Sequence, residues 1–206
     1  MYHSNVKYDR TWIKYLDGVD VKRYSLGWSG QYIKYGKNLS RPRKESLFIG
    51  ERILIRQIPS PLPYCINAAF IDTQTINDNN SMIVKVSNTS YDIKYILGIL
   101  NSKLISWWFV KTFNKLSRKI FPQFKINELK LFPIAICNKK YQLRVKEYVD
   151  KILEFRSIDS TSDISLYENN IDKIVYYIYG LTYDEILIID PQTPITREEY
   201  ERTKLE

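Results

Sequence analysis

In the first ninety residues, apolar and polar positions alternate in short runs broken by turn-forming residues, which is the pattern of strands. Gln31-Tyr32-Ile33-Lys34-Tyr35 alternates as a half-buried strand does. Residues 52–58, RILIRQI, predict a compact strand that Pro59, Pro61 and Pro63 stop, because proline has no amide hydrogen for a ladder. Residues 68–72 and 81–86 predict two further strands. Between them Asn77-Asp78-Asn79-Asn80 supplies residue types that tolerate left-handed turn geometry.

The period changes at Tyr91. Ile93, Ile96, Leu97, Leu100, Leu104, Trp107 and Trp108 recur every three or four residues, predicting one amphipathic helix over 91–112 with Asp92 near its start. On this pattern both tryptophans extend the apolar stripe and belong to the core. A basic loop then runs to Phe121-Pro122. A short segment over 126–134 follows, where Pro133 turns the chain into a strand. Residues 140–156 predict a second helix, with Leu143, Tyr148, Val149, Ile152 and Leu153 inward. A third spans about 165–179 with Leu166, Ile171, Ile174, Val175 and Ile178 inward, and Gly180 sits where a C-cap needs positive φ. Thr182-Tyr183-Asp184-Glu185 is a capping box that opens a short last helix. The charged tail after Pro191 is expected to fray. A β-rich half (1–90) followed by a helical half (91–206) gives an α+β fold, read as one continuous module.

Composition adds a class to this picture. With 44% hydrophobic and 26% charged residues the chain is a folded globular protein. No apolar run approaches the roughly 20 residues that cross a bilayer, and the N-terminus lacks a signal-peptide core, so a cytoplasmic protein without membrane contact is expected. Cys65 and Cys137 read as free thiols of a reducing compartment. Charge is unevenly spread: residues 1–60 hold 12 Lys/Arg against 5 Asp/Glu, and residues 91–146 hold 12 against 2. Residues 147–206 reverse the sign, with 6 against 14. A polyanion would be drawn to the basic parts and repelled by the acidic end, and nucleic acid is the commonest cytoplasmic polyanion.

Candidate chemistry is sparse. The only histidine is His3, at an end expected to be mobile, which excludes a His-based triad or metal site. The seven glycines form no phosphate-binding or dinucleotide loop, and Gly27-Trp28-Ser29-Gly30 lacks the spacing of a nucleophile elbow. Glu128-Leu129-Lys130 matches the second half of a metal-dependent nuclease signature, but the nearest upstream acid, Asp92, belongs to another helix, and the triplet is read as a core Leu129 flanked by solvated charges. Neither a catalytic residue nor a metal site is assigned.

Four stretches together resemble a known family. Leu16 to Tyr24 (LDGVDVKRY), then Arg41-Pro42-Arg43 and Phe48 to Arg56 (FIGERILIR), resemble the start of the TaqI-like C-terminal specificity domain. Leu97 to Leu104 (LGILNSKL) resembles its central helix, and Ile126 to Ile134 the segment after it. Ile171 to Thr182 (IDKIVYYIYGLT) is similar to the closing helix of type IIG restriction–modification enzymes; the middle two stretches also resemble specificity subunits of type I systems. The resemblance implies the target-recognition part of a bacterial adenine-N6 methyltransferase, sometimes with a nuclease fused ahead. The partner catalytic domain, in the same or another chain, would bind S-adenosylmethionine. Its Asn-Pro-Pro-Tyr/Phe motif and glycine-bearing cofactor motif are absent here, so no cofactor and no methylation are expected of this chain alone.

The implied partner is double-stranded DNA. The candidate contacts are Lys22, Arg23, Tyr24, Lys34, Tyr35, Lys37, Arg41, Arg43 and Lys44 in the first basic block, and Lys111, Lys115, Arg118 and Lys119 in the second. Arginines suit bidentate contacts to guanine, and lysines suit phosphates. The alternative reading is a protein-interaction module in which the tyrosines and acidic helices dock a methyltransferase or other partner while the basic region is incidental. An enzyme with an unfamiliar site built around Glu128 is a third reading. Salt-sensitive DNA binding separates the first two, and loss of activity on replacing Glu128 would revive the last.

Overall fold

The computed structural model describes residues 2–114 and 123–203. Strands fill the N-terminal half: β1 (His3–Ser4), β2 (Trp12–Leu16), β3 (Val21–Lys22), β4 (Ser25–Leu26), β5 (Tyr32–Lys34), β6 (Arg52–Arg56), β7 (Ala68–Ile71), β8 (Ile76–Asn77) and β9 (Ser81–Val84). Helices fill the remainder: α1 (Ile93–Leu100), α2 (Lys103–Phe113), α3 (Ile126–Leu129), α4 (Lys139–Ile158), α5 (Ser165–Ile178), α6 (Tyr183–Ile189) and α7 (Arg197–Thr203). Strands followed by helices make the fold α+β.

Three small sheets result. The order β1-β5-β2-β8 is antiparallel except for the parallel β2–β8 pair; β7-β6-β9 is antiparallel throughout; β3 and β4 form a two-stranded ribbon. In β6, Ile53, Leu54 and Ile55 are all buried, because the strand is central and covered on both faces. Ile53 and Ile55 join the main core, whereas Leu54 packs with Leu16, Val21, Ala69 and Ile71 on the other side. The main core runs from Tyr24 through β6 and β7 into α1, α2, α4, α5 and α6, so the two halves share one interior. Gly98 of α1 lies so close to α4 that a Cβ there would sit 2.6 Å from Val145 Cγ1. Gly180, at φ +70°, ends α5 as its position required.

Where the structure departs from the sequence reading, polar side chains explain most of the difference. The helix predicted over 91–112 is two helices. Asn101 turns out of the helical path to exchange two hydrogen bonds with the Ala68 backbone, at 3.0 and 3.1 Å. Ser102 then restarts the chain by capping α2, its hydroxyl accepting from Ile105 N at 3.3 Å. No strand follows Pro133. Instead, tyrosine hydroxyls satisfy that extended backbone: Tyr95 donates to Ala135 O at 2.8 Å, and Ala135 N donates to Tyr179 Oη at 3.2 Å.

Over residues 192–203 the tail does not fray. Ile195 and Tyr200 are buried, and the Tyr200 hydroxyl donates to Leu181 O at 2.7 Å. His3, expected at a mobile end, lies in β1 with its ring edge-on to Tyr15. The turn at 77–80 uses no left-handed residue; the non-glycine residues with positive φ among those described are Tyr24 and Asn114. Leu143 and Leu166 face outward rather than inward. Gln142 takes the inward place beside Leu143, accepting from Asp92 N and donating to Cys137 O, both at 3.4 Å. Trp108 packs on the main core; Trp107 is half-buried, with the Lys111 ammonium 6.0 Å from its ring centroid. Among the described residues no helix is long and apolar enough to cross a membrane.

Candidate nucleic-acid interface

The basic stretch 34–44 leaves β5 as a loop that several hydrogen bonds tie down. The Asn38 amide donates to Lys34 O at 2.8 Å, and the Tyr35 hydroxyl donates to Arg43 O at 2.8 Å. Arg43 lies over the Phe48 ring, 5.1 Å from its centroid, and donates to Asn77 O at 2.8 Å. Beyond the loop Lys85 Nζ donates to Ser46 O at 2.5 Å and Ile49 O at 2.9 Å. Beneath it the buried Arg52 donates to Gly50 O, Thr73 O and Thr75 O at 2.8, 3.0 and 3.0 Å. These bonds hold a loop that presents Lys37, Arg41 and Lys44 as exposed cations with no ion pair among the described residues. A held loop backbone suits phosphate docking, since little backbone freedom is lost on binding.

Other candidates fall elsewhere. Lys34 is exposed on β5 and Lys22 on β3. Tyr35 is half-buried, its hydroxyl bonded within the loop and its ring edge-on to Phe48, so it braces the loop. Lys111 is exposed at the end of α2. Lys115, Arg118 and Lys119 lie outside the described residues.

Arg23 and Tyr24 are committed to the interior. Arg23 pairs with Glu168 of α5, donates to Asn101 O at 2.9 Å, and stacks on Tyr64 at 3.7 Å. Burial holds its pKa below the ordinary arginine value. Tyr24 is buried in the main core at φ +60°, and burial pushes its hydroxyl pKa up. Tyr24 is buried and the Arg23 guanidinium is taken up by interior partners, which sets both apart from the outward cations of the loop. In sequence Lys22-Arg23-Tyr24 looks like one basic-aromatic run; a reversal between two-residue strands separates them.

Around Arg23 is a buried polar junction between the halves. Asp172 accepts from the Tyr64 hydroxyl at 2.8 Å and from Lys103 N at 2.9 Å. Lys103 Nζ pairs with Asp190 at 2.5 Å. Burial raises the Asp172 pKa to about 6, against the lowering effect of Lys103, Tyr64 and Arg23. Perturbed carboxyls cluster at active sites, but this one has its hydrogen-bond partners in place and joins β-half to helical half. The groups that chemistry would need are engaged elsewhere. Glu128 accepts from Lys125 N at 2.9 Å, which caps α3. The Cys65 thiol is buried, its pKa pushed up to about 11 by burial. Among the described residues no three His, Cys, Asp or Glu side chains gather as a metal site.

The pattern reading missed Lys14 and Trp28. Lys14 lies on the same face of β2 as Trp12, and Trp28 lies in the irregular segment between β4 and β5.

Residues 13–134 match the family described as the TaqI-like C-terminal specificity domain, and the chain belongs to that family. It is 27% identical over 179 residues to a protein of Methanocaldococcus jannaschii that carries the name "Putative type II restriction enzyme and methyltransferase". That alignment covers 85% of this chain and 15% of the other protein. The fold is shared with the type IIL restriction-modification enzyme MmeI, solved in complex with DNA, at a TM-score of 0.61 and 14% identity over 96% of this chain and 32% of MmeI. The chain therefore spans less than a third of either relative's length.

Proposed function

We propose that this chain is the DNA-reading module of a restriction–modification adenine-N6 methyltransferase of the type IIG kind. It binds double-stranded DNA sequence-specifically and works, in the cytoplasm, beside a methyltransferase domain in the same or another chain. That domain would bring S-adenosylmethionine and the chemistry. Family membership over residues 13–134 is the observation that carries this reading, and the tethered loop of Lys37, Arg41 and Lys44 supports it.

On this reading Lys22, Lys34, Lys37 and Lys44 meet phosphates, and Arg41, with the exposed part of Arg43, reaches base edges in the major groove. Lys111 opens the second basic block, with Lys115, Arg118 and Lys119 continuing it. The acidic last sixty residues dock on the methyltransferase domain, where Ile158 and Leu166 stand exposed to solvent. The module holds the duplex while the catalytic domain extrudes the target adenine.

Fluorescence anisotropy of a labelled mixed-sequence duplex, titrated with salt, tests the reading. Affinity should fall steeply as salt rises, since each neutralised phosphate contributes about 0.9 to the log–log slope. Absence of binding at low salt would remove the reading and favour the helical half as a docking module alone.

A further inference from the structure

The outer face of the β2–β5 pair carries cations and rings interleaved: Lys34 is exposed, Lys14 and Tyr32 are half-buried, and Trp12 is buried. In its antiparallel register Trp12 lies opposite Lys34 and Lys14 opposite Tyr32, so these four side chains share one face. Ile13 and Ile33 point the other way, toward the Phe48 cluster. Trp28 joins the outer face. Its ring stands edge-on to Tyr32 with centroids 5.1 Å apart, and its Nε1–H donates to Gln31 O at 2.9 Å. The Lys14 ammonium rests over the indole, 4.9 Å from its centroid. Tyr8 leans on Trp12 at 5.2 Å. The result is two ring pairs, each beside a lysine across the strands. Trp28 is 41% exposed and Tyr8 69% exposed. The nearby carboxylate, Asp9, is held by Thr11 through its backbone N–H and hydroxyl at 2.7 and 2.5 Å.

The chemistry of this face selects its ligand. Two lysines on a half that holds 12 basic and 5 acidic residues in its first 60 fit a polyanion. Phosphate alone makes no use of an ordered, exposed indole. In a duplex the base faces are covered by their neighbours, so a ring can stack only on an unpaired base. The two lysines, two residues apart along the paired strands, are separated by about 7 Å, on the order of one nucleotide of an extended strand.

We propose that this face is a stacking platform for unpaired nucleotides of the bound DNA, with a base on Trp28 and the adjoining phosphates on Lys14 and Lys34. A phosphate draws the Lys14 ammonium off the indole and leaves the ring to the base. The inference rests on the DNA-binding reading, which would bring a strand with extruded or unpaired bases to this half.

Tryptophan-fluorescence titration of the chain with a short oligothymidylate at low salt tests it, with a duplex of mixed sequence titrated in parallel. Binding with quenching is expected for the single strand, weakened about tenfold in W28A and restored for the most part in W28F. The double variant K14A/K34A should lower the single-strand salt slope by about 1.4. Because Trp28 is exposed, circular-dichroism melting should show W28A folded as the parent is. Equal single-strand binding by W28A and the parent overturns the platform, as does a parent that binds duplex but not single strand. Failure to bind either form overturns both this inference and the DNA-binding reading.

Discussion

Arg23 has a guanidinium that touches Glu168, Asn101 O and the face of Tyr64, so it is surrounded by partners from both halves of the chain. Removing one member of a buried charged pair leaves the other uncompensated, a loss on the order of 3–5 kcal/mol. R23A is therefore expected to lower unfolding stability by about 3 kcal/mol in urea titration, while the salt slope of any DNA binding by the folded fraction stays unchanged. Asp172 makes a pH prediction at the same junction. Its folded pKa of about 6 lies above the ordinary 3.8, so the folded state binds the proton more tightly than the unfolded chain. Its contribution to stability is full below the unfolded value and is lost as pH rises toward 6, a change of about 3 kcal/mol. The stability of the parent relative to D172N should fall by that order between pH 4 and 6.5 in paired urea melts; a difference that does not vary with pH would contradict the account.

At the scale of elements, the loop between β5 and β6 is a braced display of charge. Lys37, Arg41 and Lys44 are exposed and have no ion pair among the described residues, so removing them should not disturb the fold. The triple variant K37A/R41A/K44A is expected to keep its melting temperature and to lower the duplex salt slope by about 1.8, because Lys37 and Lys44 each meet one phosphate. The break between α1 and α2 gives a second expectation. Ser102 caps α2 by accepting from Ile105 N, so S102A should destabilise the chain by about 1 kcal/mol in thermal melts.

The same elements show what was legible in the sequence. Strands with four or more residues of clear alternation or continuous apolar character, such as β6, β7 and β9, could be read directly, and so could α4, α5 and the Thr182 capping box. β3, β4 and β8 have two residues each, too few for any period to show. The helix break at Asn101 depended on a partner, Ala68, thirty-three positions away. α7 was hidden because only Ile195 and Tyr200 of a charged tail are buried. For the candidate site, charge density singled out a loop that is exposed but could not tell Lys22 in solvent from Arg23 beside its interior partners, since the distinction lies in what α5 brings alongside.

For the whole molecule, the charge changes sign within the helical half: residues 91–146 are as basic as the strand-rich start, and the last sixty residues are acidic. The strand-rich half carries the basic loop and the Lys14–Trp28 face, and it shares the main core with the helices. This asymmetry would orient the chain on a polyanion, basic parts first, with the acidic last helices turned away. The central claim is that the module reads sequence. The most direct measurement is selection from a randomised duplex pool at near-physiological salt, followed by sequencing of the retained fraction. The account predicts one enriched motif, and that R41A relaxes preference at one of its positions. Retention of the pool without enrichment, or enrichment that R41A and the loop triple variant leave untouched, would contradict it.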